Sequence, residues 1–216
     1  MKSGSHRTHA SWLAGLALAI LLLAGCTVAQ PSRQVVGINI SGDADRIVIG
    51  TPALMCTAPL VMVTTISTLG PSHWNGPNNA RPPTTNVNTI LKTGYAIYTP
   101  LHFANMEIHV DHRHQPKSTI EYATVGGRTG PDSYDMGYPQ VEPGGSYLLV
   151  LVPGSDPVAH AWTEKAYLVN DAFPINAQGI VILQPAHTEG KGQQTQNFPA
   201  VTMPLTQLTQ QLANCK

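Results

Sequence analysis

Short β-branched runs, each fenced by proline or glycine, recur between residues 46 and 183 and leave little choice of fold class. Arg46–Thr51 and Leu60–Ile66 are bounded by Pro52, Pro59 and Gly70-Pro71, and read as two strands joined by a turn. Residues 71–88 hold four prolines and five asparagines and read as a long loop, a feature that in compact domains is often functional. Tyr95–Asp111 is extended, with Met106, Ile108 and Val110 alternating against Glu107, His109 and Asp111, the period of a half-buried strand. Thr119–Val125, Ser146–Val152, Ala166–Val169 and Gly179–Leu183 continue the set, and residues 188–198 form a polar loop.

The last segment changes period. Leu205, Leu208 and Leu212 fall on one helical face, with Pro204 at the first turn and Thr202 near the cap. These runs predict a single mainly β domain over 34–216, an antiparallel barrel or small sandwich (OB-like among the choices) with a short C-terminal helix. Composition agrees. Only 11% of residues are charged, 42% are hydrophobic, and 12 basic side chains balance 12 acidic ones. Such a chain is neither disordered nor a nucleic-acid binder.

The N-terminus carries an address. Lys2 and Arg7 precede Leu13–Gly25, an apolar run too short to cross a bilayer with margin, so residues 1–25 read as a secretory signal. Leu23-Ala24-Gly25-Cys26 closes that run and resembles the lipobox of bacterial lipoproteins. The resemblance implies cleavage before Cys26, acylation of Cys26, and a tether over 26–33. The domain would then be held at the cell envelope outside the cytoplasm, on the outer membrane of a diderm or the outer face of the cytoplasmic membrane of a monoderm. Two or more acyl chains anchor stably, since each buried methylene contributes about 0.8 kcal/mol. Cys56 and Cys215 then remain in an oxidising compartment, either joined as a disulfide or left as two buried thiols.

From about Asp45 to Leu212 the order of elements resembles a loosely defined group of uncharacterised exported bacterial domains. The resemblance is carried by Ile47-Val48-Ile49-Gly50, Ile108-His109-Val110, Gly126-Gly127, Glu142-Pro143-Gly144 with Tyr147-Leu148-Leu149, Gln178-Gly179 and Leu205–Leu212. Its strand order is similar to that of netrin-like, OB-type barrels. The cysteines that define the inhibitory netrin members have no counterpart here, so their role does not carry over.

Chemistry is sparse. His109, Asp111, His112 and His114 lie within six residues and suggest a Zn²⁺ or Cu²⁺ site. In an extended strand His112 and His114 share one face, about 7 Å apart, while His109 and Asp111 point the other way. Convergence needs a bulge or turn, and a third ligand would come from His73, His102, His160 or His187; a polar strand end is the alternative. No G-x-S-x-G elbow, H-E-x-x-H helix or phosphate-binding loop occurs. Trp74, Tyr134, Tyr138 and Trp162 fall in predicted loops, either folded back as lids or gathered into the rim of a ligand site. The sequence therefore points to a lipid-anchored envelope binding module without evident catalytic chemistry, its partner an envelope protein or a small ligand. A metal-binding lipoprotein using residues 109–114 is the alternative.

Overall fold

Five of the β-branched runs close on one another. A computed structural model describes residues 35–42, 46–113, 121–154, 166–183, 188–189 and 201–215. Its barrel strands are β3 (Leu60–Leu69), β5 (Ile97–Asp111), β6 (Glu121–Val125), β9 (Ser146–Pro153) and β10 (Ala166–Pro174). The hydrogen-bonded order β3-β9-β10-β6-β5 returns to β3, so the chain is mainly β with a closed five-stranded barrel and a short C-terminal helix. All barrel pairings are antiparallel except β6 with β10, which run parallel from Glu121↔Ala166 to Ala123↔Leu168.

Every barrel strand contributes to the interior, where Leu60, Met62, Ile66, Leu149, Leu151 and Val169 are buried. Alternate residues face outward into two further clusters, so β9 is buried on both faces, and this is why Leu148-Leu149-Val150-Leu151 is continuously apolar. Fully burying a side chain of this size contributes about 1.5–3 kcal/mol, before the entropy of ordering it. Asp111 ends β5. Arg113 donates to it at 2.7 Å from both Nε and Nη2, and Nη1 reaches the Tyr122 hydroxyl at 3.1 Å. That engagement outweighs the cost of burial and raises the Arg113 pKa further above its ordinary value.

One outer face is covered by α1 (Pro52–Met55), the pair β11 (Ile180–Leu183) with β13 (Val201–Pro204), and α3 (Leu205–Leu212). Leu208 and Leu212 are buried against Val61, Val150 and Phe173. Cys56 ends α1 and Cys215 follows α3, and a disulfide joins them with Cα atoms 5.2 Å apart. Between sulfurs the chain runs 159 residues. The other outer face is covered by β1 (Asn39–Ser41), β4 (His73–Trp74), α2 (Val87–Lys92), β7 (Gly127–Thr129) and β8 (Asp132–Asp135). β1, β8 and β7 form a small sheet of their own, while β2 (Arg46–Ile47) pairs with β12 (Thr188–Glu189).

Four local expectations change. Only Arg46–Ile47 of the first run is a strand; Thr51 keeps an extended backbone but caps α1, its Oγ1 accepting from Leu54 N at 3.4 Å. Residues 71–88 contain the short strand β4, a 3-10 turn at Pro77–Asn79 and the start of α2. Pro204 itself stands at the N-cap of α3, and Thr202 belongs to β13. The alternation along β5 breaks at His109, where the register steps from Val61↔Val110 to Met62↔Ile108. That extra residue is a β-bulge. It sends Ile108 into the barrel and Val110 to the outer face.

Candidate functional site

Of the histidine cluster, His109, Asp111 and His112 each meet a different neighbour. His112 Nε2 lies 3.0 Å from the Cys56 carbonyl. A carbonyl only accepts, so Nε2 carries the proton and only Nδ1 retains a lone pair in the neutral ring. Both Asp111 oxygens accept from Arg113. His109 Nε2 is buried, makes no hydrogen bond among the described residues, and lies 3.6 Å from Glu107 Oε1. His114 and Cys26 lie outside the described residues. Among the described residues no group of three His, Cys, Asp or Glu is gathered to hold a metal.

The second outer face offers a different site. A groove of about 490 Å³, partly open to solvent, runs between the β9–β10 edge of the barrel and the layer that covers it. Tyr98 and Tyr134 are nearly buried and make its floor; Tyr95 and Tyr138 are half-buried and make its walls, with Leu91 and Leu168 beside them. Each tyrosine is placed by local chain chemistry. Helix α2 starts at Asn86, whose side chain accepts from Thr89 N, and it stops at Gly94, where φ is +80°. Gly94 N donates to Leu91 O and Tyr95 N to Ile90 O, the paired bonds of a Schellman stop that needs a left-handed residue at Gly94. The stop turns Tyr95 onto the groove. Buried Asn75 locks it there, donating to Gly94 O and accepting from Ala96 N.

Tyr134 sits mid-strand in β8, opposite Ile40 of β1 and Gly127 of β7. Tyr138 follows a turn in which Asp135 accepts from Gly137 N, and Thr124 of β6 donates to the next residue's carbonyl, Pro139 O. The far wall is set by a second irregularity. The β9–β10 register slips between Val169 and Asp171, which turns Asn170 out to the groove. Buried Asp171 accepts from Asn170 Nδ2 at 2.7 Å and from Ile49 N at 2.8 Å, so one carboxylate fixes two lining residues.

The electrostatics of the groove are plain. Among the described residues its lining contains no Asp, Glu, Lys, Arg or His, and no Ser, Thr or Cys. Burial, with the neighbouring Tyr138, pushes the Tyr134 hydroxyl up to about 12, so it stays a proton donor at neutral pH and is no general base there. No hydrogen bond engages the hydroxyl of Tyr95, Tyr134 or Tyr138 among the described residues. Phe103 and Tyr122, which pack with the barrel interior, form a tilted ring pair with centroids 5.1 Å apart. A second depression of about 430 Å³ lies over the β1–β8–β7 sheet, where Ser133 donates to Asn39 and Asp135 accepts from Gly137 N.

Of the aromatic residues singled out from sequence, Tyr134 and Tyr138 line the groove. Trp74 does not. It is 2% exposed, packed in the covering layer, and its Nε1 donates to Asp132 at 2.9 Å. Trp162 lies outside the described residues. Tyr95 and Tyr98 were hidden inside a segment that reads as plain strand; the helix-stop pattern Thr93-Gly94 after the Asn86 cap was the available signal. No family model, curated protein or solved structure matches this chain.

Proposed function

We propose that this chain is a binding module of the bacterial cell envelope, anchored by lipid on Cys26, whose ligand occupies the tyrosine-lined groove. One observation carries the reading: a groove of about 490 Å³, within the size range of small-ligand sites, is lined by four tyrosines and by no charged or nucleophilic side chain among the described residues. Such a lining supports recognition of an uncharged group and offers no acid, base or nucleophile for chemistry at neutral pH. The disulfide is consistent with a place outside the cytoplasm.

The two halves of the reading are tested apart. Cys26→Ser shifts the protein from the membrane fraction to the soluble one; an unchanged membrane fraction overturns the anchor. For the groove, full-length protein with ¹³C-labelled tyrosine is titrated with peptide, saccharide and lipid fractions of an envelope extract. At least one fraction moves the signals of Tyr95, Tyr134 and Tyr138 and leaves Tyr147 and Tyr167, which pack with the barrel interior. No selective movement with any fraction overturns the groove.

A further inference from the structure

Resting on that reading, we propose that the groove takes a proline-rich segment in the polyproline II conformation. Among the described residues the lining carries no charge, and this is the first constraint. A charged ligand group placed there would be desolvated and unpaired. The unpartnered phenols are the second constraint. An acyl chain would cover the hydroxyls of Tyr95, Tyr134 and Tyr138 and leave each without water or partner, at the cost of burying unsatisfied donors.

What remains is an uncharged ligand rich in acceptors, with apolar faces between them. A polyproline II segment has that form: its backbone makes no internal hydrogen bonds, so its carbonyls stay available, and its pyrrolidine rings present flat apolar faces every third residue. Aromatic-lined grooves recognise such segments because the ligand is already ordered and loses little entropy on docking. Tyrosine supplies both halves of the contact, a face for the ring and a hydroxyl for the carbonyl. A neutral saccharide fits less well. Its hydroxyls both donate and accept and call for planar amide or carboxylate partners, and the one side-chain amide among the described lining residues, Asn170, already donates to Asp171.

The deciding measurement uses the full-length protein in a detergent without a sugar head group. Four probes are compared: a short capped polyproline peptide, a capped Gly-Ser peptide of equal length, maltohexaose and myristate. The expected result is saturable binding of polyproline alone, with movement of the Tyr95, Tyr134 and Tyr138 signals. Tyr138→Ala then weakens binding by about tenfold or more, and Tyr138→Phe, which keeps the ring and the fold, weakens it less. If maltohexaose, myristate or the Gly-Ser peptide moves those tyrosines and polyproline does not, the groove stands and the polyproline reading falls. If no probe moves them at concentrations up to about 10 mM, where even millimolar affinity would register, the polyproline reading is overturned, and the extract titration above decides the groove itself.

Discussion

The two outer faces of the barrel solve the same problem in opposite ways. Both must cover apolar side chains that the strands turn away from the interior. On the disulfide face the cover is aliphatic: Leu208 and Leu212 of α3, Val181 and Leu183 of β11 and Met55 of α1 are all buried against it. Leucine, valine and methionine on regular elements interdigitate and leave no room. On the tyrosine face the cover is built from short strands, turns and one brief helix, and its large side chains are rigid rings. Rings on turns do not interdigitate in that way. The groove they leave is bordered by residues tied to buried polar anchors, Asn75 behind Tyr95 and Asp171 behind Ile49 and Asn170, while Asp132 fixes Trp74 in the covering layer away from the lining. Lining residues fixed by two separate hydrogen-bonded anchors make the opening a built feature of this face.

The strongest way to break the contrast is at the disulfide. Replacing Cys56 and Cys215 together with alanine removes a crosslink across 159 residues, and chain-entropy arithmetic puts the loss at about 5 kcal/mol. Urea unfolding followed by far-ultraviolet circular dichroism measures it. A loss under about 1 kcal/mol would show that α3 holds the sealed face by packing alone.

Next in size is the anchor of the open face. Asp132 is 3% exposed and accepts from Ile38 N at 2.7 Å, Trp74 Nε1 at 2.9 Å, and Arg81 Nε and Nη2 at 2.7 and 2.8 Å. Arg81 also donates to Val36 O, so one carboxylate ties the loop after β4 to the segment that leads into β1. Asp132→Ala strands those donors and is expected to cost about 3–5 kcal/mol. The pH dependence has a definite sign. Burial alone would raise the Asp132 pKa, but the bonds from Arg81, Ile38 and Trp74, with the Arg81 charge, outweigh it and hold the carboxyl below its usual value. The stability it contributes is therefore complete above the unfolded value of about 3.9 and is lost as pH falls through the lower folded value. Wild type should lose stability across that window relative to Asp132→Ala, and parallel acid-unfolding curves would sink the assignment.

The contrast also explains what could be read from residue order. Local signals sufficed for the strands of the barrel and for α3, because alternation, Pro and Gly fences and the Leu205-Leu208-Leu212 spacing act within a few residues. The groove draws on six separate stretches between Ile49 and Asn170, and no local pattern joins them. Its making depends on the parallel pairing of β6 with β10, which brings Val125 beside Asn170, and on the register slip at Asn170. Tyr134 and Tyr138 could be flagged as aromatic residues outside strong strands, but Tyr95 could not, because α2 is mostly polar. Only its Asn86 cap and Gly94 stop mark it. The histidine cluster shows the converse, that nearness in sequence does not by itself gather side chains. Its members are neighbours in sequence, yet Arg113 takes Asp111 and the Cys56 carbonyl takes His112.

The smallest effect is the sharpest test of the open face. A tyrosine hydroxyl engaged by the fold should cost something to remove, and one left for a ligand should not. Tyr147 accepts from Glu142 N at 3.1 Å and Tyr122 accepts from Arg113 Nη1 at 3.1 Å, so Tyr147→Phe and Tyr122→Phe are each expected to destabilise by about 1 kcal/mol. Tyr95→Phe, Tyr134→Phe and Tyr138→Phe remove hydroxyls without a partner among the described residues, and each should shift stability by less than about 0.5 kcal/mol. Differential scanning calorimetry on the five variants separates the classes. A cost of about 1 kcal/mol for the three groove variants would mean that the fold already uses those hydroxyls, and the tyrosine face would then be as closed, in energetic terms, as the face beneath α3.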